Sequence, residues 1–184
     1  MSTSNYVEID LFDEKEGKWD NPTLEPIFNV PESYKPYKGE LASLPFGYQS
    51  YALAAFIAGV RNYYLISPIA EGRGLPEDHL VEEDEGSDIV HGYFFDGSPK
   101  SRYSSEITEN YSKTWVLLSE LLEFNYDDTF EDRQDANSSK DSVPEGSGKV
   151  TTFREHLPEQ FFDDLEQLKN LGKPENIRIV WAFD

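Results

Sequence analysis

Two carboxylates near the start of the chain have the spacing of a paired-carboxylate site. Glu8 and Asp10 are two positions apart in an alternating polar and apolar stretch, so they lie on one face of a predicted strand. Two acids on one face can hold a hard cation or act as general acid and base. No histidine or further carboxylate is tied to them by a recognisable spacing. The alternative, a solvated strand face, is therefore favoured.

Two arginines are the groups that could bind an anion. Arg61 and Arg73 both lie near the ends of predicted elements, where a guanidinium can bind phosphate or pair with one of the many carboxylates. In a chain this acidic, structural pairing is favoured. The alternative is a ligand pocket that gathers Glu8, Asp10, Arg61, Arg73, Tyr111 and Lys113.

The residues that usually build metal centres and nucleophilic sites are absent or wrongly spaced. The chain has no cysteine, and His79, His91 and His156 form no pair at helical spacing. No phosphate-binding loop, dinucleotide fingerprint or Gly-x-Ser-x-Gly motif is present. The sequence therefore predicts neither a metal nor a cofactor, and it favours a protein that works by binding over an enzyme.

Charge sets the class of partner. The chain carries 36 Asp and Glu against 16 Lys and Arg, a net charge of −20. Such a charge repels phosphate backbones and anionic lipid and favours basic partners, so we expect no direct nucleic-acid or membrane binding. No apolar run has membrane length and the first residues do not resemble a signal peptide, which makes a cytoplasmic protein the expectation. An alternative stays open, that the charge only confers solubility.

The acids are concentrated in two segments. Residues 77–88 contain no Lys or Arg, and residues 127–148 are rich in Asp, Glu, Ser, Asn and Gly. We predict that both are exposed and that 127–148 is a flexible acidic loop. Clustered carboxylates can imitate a phosphate array and occupy a cationic channel. The candidate partner-binding residues are Glu82, Glu83, Asp84, Glu85, Asp127, Asp128, Glu131 and Asp132.

Periodicity and turn residues predict the elements that position these groups. They are strands at 6–12, 114–117 and 177–183, helices at 48–60 and 158–171, and an irregular insertion with five prolines at 21–45. The last strand is apolar on both faces, which is typical of a central strand. A chain of 184 residues fits one domain. The predicted fold is a single α+β domain, with a mixed or antiparallel sheet packed against two main helices and long acidic loops.

Three sets of residues stand out together. They are Val7-Glu8-Ile9-Asp10-Leu11-Phe12-Asp13-Glu14 with Gly17-Lys18-Trp19, Ala58-Gly59-Val60-Arg61-Asn62 with Ile69-Ala70-Glu71-Gly72-Arg73-Gly74-Leu75-Pro76, and Ser112-Lys113-Thr114-Trp115 with Glu120-Leu121-Leu122 and Ile177-Arg178-Ile179-Val180-Trp181-Ala182-Phe183-Asp184. In these sets the chain resembles a group of uncharacterised proteins encoded in bacteriophages and prophages. The resemblance omits the proline-rich insertion and the acidic loop.

The chain departs from that group where the group has its histidines. Val7 and Asp10 replace the Cys and His of an opening Cys-Asp-Ile-His, and Tyr111-Ser112-Lys113 replaces a His-Ser-His. The resemblance implies a phage origin and, by analogy, a counter-defence inhibitor such as a nucleic-acid mimic or an anti-CRISPR. The predicted function is inhibition of a basic, nucleic-acid-handling host protein. The alternative is a nucleotide-binding or nucleotide-cleaving protein with a pocket around Arg61, Arg73, Glu8 and Asp10.

Overall fold

A four-stranded antiparallel sheet lies at the centre of the computed structural model, which describes residues 5–20, 41–42, 45–46, 48–78, 93–94 and 112–183. In chain order the elements are β1 (Asn5–Asp13), β2 (Lys18–Asp20), β3 (Leu41–Ala42), α1 (Tyr51–Ala58), β4 (Tyr93–Phe94), β5 (Ser112–Leu117), α2 (Leu118–Glu123), β6 (Thr129–Asp132), β7 (Lys149–Thr152), α3 (Phe153–His156), α4 (Glu159–Leu168) and β8 (Ile177–Phe183), with 3-10 turns at Lys169–Leu171 and Pro174–Asn176. The sheet order is β2-β1-β8-β5, while β3 pairs with β4 and β6 with β7.

The last strand occupies a central position in the sheet. β8 is antiparallel to β1 on one side and to β5 on the other, and all seven of its residues are buried. Ile179 lies opposite Ile9 of β1 and Val116 of β5, so one apolar row crosses three strands. The prediction that the first and last strands share a sheet is confirmed. The apolar character of both faces of β8 follows from burial on both faces.

One apolar cluster joins the sheet to the helices. It contains Ile177, Ile179, Trp181 and Phe183 of β8 together with buried residues of α1 and α4. Residues Leu53 to Ala58 of α1 are all buried, so this helix is apolar around its circumference. In α4 the buried apolar residues are Phe161, Leu165 and Leu168, spaced four and three apart as on one helix face. The predicted α+β class is confirmed.

The ends of the two main helices are set by local capping. The Ser50 hydroxyl accepts the Leu53 N–H at 3.1 Å and begins α1, and Gly59 ends it in the left-handed conformation at φ 70°. α1 is therefore shorter than the predicted 48–60. Pro158 occupies the N-cap position of α4 without a side-chain capping hydrogen bond, and the chain tightens into a 3-10 turn after Leu168.

The segment 127–148 is not wholly irregular. Residues 129–132 form β6, which pairs with β7 so that Phe130 lies opposite Thr151. The Phe130 ring packs against Phe153 and His156, with ring centroids 4.6 and 5.0 Å apart. The sequence did not predict this strand, because a single aromatic residue in a polar stretch gives no periodic signal. Half of residues 133–148 are in turns or bends, and an isolated antiparallel bridge joins Gln134 to Ser142.

Two of the predicted segments lie mostly outside the described residues. Of the proline-rich insertion at 21–45, the structure describes residues 41, 42 and 45, and of the acidic stretch at 77–88 it describes Glu77 and Asp78. In the part of the chain that the structure describes, no helix combines the length and the apolar character needed to cross a membrane.

Candidate functional site

The face of the sheet opposite the apolar cluster carries charged and aromatic groups. Directly opposed residues of an antiparallel pair lie on the same face. Asp10 is opposite Arg178, while Glu8 and Trp115 flank Val180 from the two sides. Lys113 is opposite Ala182 on the same face. Three strands therefore bring these groups together, although they are far apart in the sequence.

Arg178 is the centre of this face. Its side chain is 5% exposed, and its Nε and Nη2 donate to Asp10 Oδ2 at 2.9 and 2.7 Å. Its Nη1 donates to Asp78 Oδ1 at 2.7 Å. The guanidinium also lies 4.4 Å from the centroid of the Trp19 ring and 6.0 Å from that of Trp115. A buried cation is thus compensated by two carboxylates and two aromatic faces.

A second arginine is paired beside the first. Arg73 donates from Nη1 and Nη2 to the two carboxylate oxygens of Glu120, at 2.9 and 2.7 Å, and its guanidinium lies 5.2 Å from the Trp115 ring centroid. This bidentate hydrogen bonding raises the pKa of Arg73 and lowers the pKa of Glu120. The structural pairing expected for Arg73 is present.

The loop that carries Arg73 also covers the outer edge of β5. The Thr114 hydroxyl donates to the Ala70 carbonyl, and Arg73 Nη1 donates to the Trp115 carbonyl at 3.3 Å. An uncovered strand edge would present unpaired backbone groups and invite pairing with another chain. The contacts with residues 70 and 73 give two polar groups of β5 an internal partner.

The structure gathers four of the six residues of the predicted ligand pocket. Glu8, Asp10 and Lys113 share the charged face, and Arg73 packs beside them on Trp115. Arg61 lies elsewhere, after α1, where it has φ 51° and its guanidinium lies 5.7 Å from the Tyr51 ring centroid. Tyr111 lies outside the described residues.

The expectation of a solvated face at Glu8 and Asp10 is wrong. Glu8 is 8% exposed and Asp10 is 2% exposed, because β8 places Arg178 directly opposite Asp10. Sequence reasoning missed Arg178. The signal available was a lone charged residue within the apolar run 177–183, since a charge inside a central strand requires a partner.

The structure describes four of the eight predicted partner-binding residues. Asp127 accepts from Arg154 Nε at 2.7 Å, which lowers the pKa of Asp127, and Asp128 accepts from the Asn125 amide. The remaining two belong to β6, which forms a hairpin with β7. Glu131 accepts the Gly148 N–H at 2.7 Å, and Asp132 lies 3.6 Å from His156 Nδ1. Glu82, Glu83, Asp84 and Glu85 lie outside the described residues. The hairpin carboxylates thus have structural contacts in addition to any role in binding.

An acidic row on α4 was not among the predicted sites. Glu159, Asp163 and Glu166 are exposed and spaced four and three apart, so they share the side of α4 that faces away from Phe161, Leu165 and Leu168. Glu166 is paired with Lys169, one turn later. The helical spacing of these acids is visible in the sequence and could have identified the row.

Neither the histidine nor the carboxylates of the described residues form a metal centre. No group of three or more His, Asp and Glu in this part of the chain is placed to hold a metal ion. His156 lies against Tyr64 and Phe130, and burial lowers its pKa, which favours the neutral imidazole.

No protein-family model, curated protein or solved structure matches this chain.

Proposed function

We propose that this chain is an interaction protein that binds the basic surface of a nucleic-acid-handling protein through exposed carboxylates and so inhibits it. The observation that carries the proposal is the combination of a net charge of −20 with the pairing of several of the described cations, Arg178 and Arg73 among them, with carboxylates. A protein of this charge attracts a cationic surface and competes with the phosphates that the surface normally binds.

Several Lys and Arg side chains are already paired with carboxylates of the same chain. These cations therefore do little to offset the charge of the remaining acids. Arg178 is buried between Asp10 and Asp78, and Arg73 is held by Glu120. The other ion pairs of the described residues are Arg154 with Asp127, Lys173 with Glu14, Lys169 with Glu166 and Lys18 with Glu16. Since acids outnumber bases more than two to one, many carboxylates are left without a cation.

The acidic row on α4 offers a regular array for such a contact. Glu159, Asp163 and Glu166 project from one side of a helix whose opposite side is fixed in the core, so the backbone spacing of the row is fixed. Glu166 is paired with Lys169, which a basic partner would replace. Residues four apart on a helix are separated by about 6 Å along its axis. A rigid row of negative groups loses little conformational entropy when it binds a cationic groove.

The alternative function, nucleotide binding at the charged face of the sheet, has weaker support. The guanidinium groups that would bind phosphate there are already paired with Asp10, Asp78 and Glu120. An anion would have to displace these carboxylates, and displacement would leave Asp10 as an uncompensated buried charge.

The setting of the proposal comes from the resemblance to phage and prophage proteins. We propose on that basis that the partner is a host defence protein that acts on nucleic acid. Such enzymes carry cationic channels for DNA or RNA, which are suitable surfaces for an acidic inhibitor.

The proposal is tested by capture from bacterial lysate on the immobilised chain, over a range of salt concentrations and with added double-stranded DNA. We expect a basic protein to be retained at low salt, to be released as salt is raised, and to be displaced by DNA. Retention that is insensitive to salt and DNA, or retention of no basic protein, would contradict the proposal.

Variants that lose the same number of negative charges at different places show whether a defined surface is responsible for binding. Glu159→Gln, Asp163→Asn and Glu166→Gln together should weaken retention on the order of tenfold, because three contacts are lost at one place. The matched control is Glu77→Gln, Glu123→Gln and Glu175→Gln, three exposed acids on separate elements. Replacing Glu82, Glu83, Asp84 and Glu85 by Lys tests the other acidic segment. Equal weakening by the two triple variants, which each remove three negative charges, would mean that only net charge matters.

A further inference from the structure

Asp164 is a fully buried carboxylate beneath the turn that precedes α1. It is 0% exposed, its Oδ2 accepts the Phe46 N–H at 2.7 Å, and its Oδ1 accepts from Gln160 Nε2 at 3.0 Å. Among the described residues no Lys or Arg forms an ion pair with it. A buried carboxylate without a cation is stabilised mainly by its hydrogen bonds, and here one of them comes from a residue 118 positions away.

The turn that Asp164 holds is conformationally unusual. Phe46 has φ 58°, a left-handed conformation that non-glycine residues seldom adopt. Its ring is fully buried against Phe161 and Trp181, at centroid distances of 5.6 and 5.4 Å. The Asn5 side chain donates to the Phe46 carbonyl. The backbone of Phe46 is thus fixed at both its N–H and its carbonyl, while its ring inserts into the core.

The same region contains an unsatisfied polar group. The Tyr48 hydroxyl is buried and has no hydrogen-bond partner among the described residues. Tyr48 and Asp164 are close enough for the carboxylate charge to raise the pKa of Tyr48 further, in addition to the larger effect of its burial. Buried polar groups that lack partners favour exchange with a hydrated state.

We propose that Asp164 is a pH-sensitive latch, whose ionisation favours release of the Pro45–Phe46 turn from the core. In the closed state the carboxyl group is buried beneath Phe46. In the open state the turn has moved away and the carboxylate is hydrated. The latch does not require the proposed binding function, although Asp163 of the acidic row is the neighbour of Asp164 on α4.

The direction of the effect follows from the burial of the carboxyl group. Desolvation raises the pKa of Asp164 to about 6 from its ordinary value of 3.8, against the lowering effect of the hydrogen bonds from Phe46 and Gln160. Once the turn opens, the pKa returns towards the ordinary value. Protonation therefore stabilises the closed state, and this stabilisation is lost as pH rises from about 4 to about 6.

The neighbouring charges do not reverse this direction. On α4 the adjacent Asp163 also raises the pKa of Asp164. From the turn, Tyr48 stays neutral because its pKa is raised well above its usual range. From β8, the uncharged ring of Trp181 packs against Phe46. Each of these neighbours favours the protonated carboxyl group or is neutral.

Amide hydrogen exchange measured residue by residue tests the latch. After correction for the intrinsic rate, protection of the Phe46 amide should fall about tenfold between about pH 5 and about pH 7.5. The amide of Ile179, in the centre of the sheet, reports global unfolding, which also hydrates Asp164, so its protection should fall by a similar factor and stay well above that of Phe46 at every pH. Asp164→Asn keeps a side-chain acceptor for Phe46 but cannot ionise, so its Phe46 protection should be independent of pH.

Asp163→Asn is the matched control, because it removes one charge at the exposed neighbouring position of the same helix. Its Phe46 amide should keep the pH dependence of the unmodified chain, with the midpoint moved slightly to lower pH. The latch would be ruled out by Phe46 protection that does not change with pH, by Phe46 protection equal to that of Ile179, which would mean that the turn opens only on global unfolding, or by pH dependence that persists in Asp164→Asn.

Discussion

At the scale of single residues, Arg178 determines how the charges on the charged face of the sheet are compensated. Its guanidinium is the only group of the described chain that contacts Asp10, Asp78 and Trp19 together. The surrounding residues consequently act as its partners, and the face is largely neutralised from within. Such an arrangement fixes the register between β1 and β8, since a shift by one residue would bury Asp10 without a cation.

Removal of this cation should destabilise the fold strongly. Arg178→Met leaves the carboxylate of Asp10 buried and uncompensated, and we expect a loss of about 3–5 kcal/mol in the free energy of unfolding. The measurement is urea denaturation followed by circular dichroism. Adding Asp10→Leu to Arg178→Met removes the buried charge and should recover much of the loss.

Arg154→Met is the comparison for this prediction. Arg154 pairs with Asp127 at the surface, and its side chain is 53% exposed. Exposed pairs are well screened by solvent, so this variant should be close to the unmodified chain in stability. If the two single variants lost the same stability, burial of the Arg178 pair would not be its important feature.

At the scale of elements, the β6–β7 hairpin depends on backbone and side-chain contacts that the periodicity of the sequence does not predict. Glu131 accepts backbone N–H groups from the turn that ends at Gly148, and these hydrogen bonds lower the pKa of Glu131. The close approach of Gly148 to β6 leaves no room for a side chain. A Cβ atom at this position would lie 2.3 Å from the Asp132 carbonyl oxygen.

Gly148→Ala should therefore distort the hairpin. Overpacking of this kind costs about 1–3 kcal/mol, and the loss should be seen first as faster amide exchange in residues 129–132 and 149–152. Ser147→Ala, at the exposed neighbouring position, is the control and should change little. Unchanged exchange in the hairpin of Gly148→Ala would show that the strands separate more easily than the contact distance implies.

For the whole molecule, the net charge of −20 acts on stability as well as on binding. Like charges repel in the compact state, and added salt screens that repulsion over a Debye length of about 8 Å at physiological ionic strength. The buried Arg178–Asp10 pair is screened far less.

We therefore expect sodium chloride to raise the melting temperature by a few degrees between low salt and about 0.5 M. The variant with Glu77→Gln, Glu123→Gln and Glu175→Gln carries less repulsion and should respond less to salt. Thermal denaturation at pH 7 measures both. A melting temperature that falls with salt would mean that exposed ion pairs stabilise the fold more than repulsion destabilises it.

Local sequence patterns determined most of the fold. The two apolar faces of β8 and the 3.6-residue periodicity of α4 result from burial of one or both faces of an element, and the alternation in β1 identified that strand although its Glu8 and Asp10 are buried as well. These patterns depend on neighbours within a few positions along the chain. For that reason they predicted the α+β class and the pairing of the first strand with the last.

Only the tertiary structure decided which charges are partnered. Asp10 meets Arg178 across 168 positions, Phe46 meets Asp164 across 118, and Arg73 meets Glu120 across 47. Composition and spacing identify a charged residue, but the energy of a charge depends on its burial and on the partner opposite. Burial and partner are both set by chain folding over long distances, so the sequence alone could not show that Asp10 is enclosed or that Arg178 encloses it.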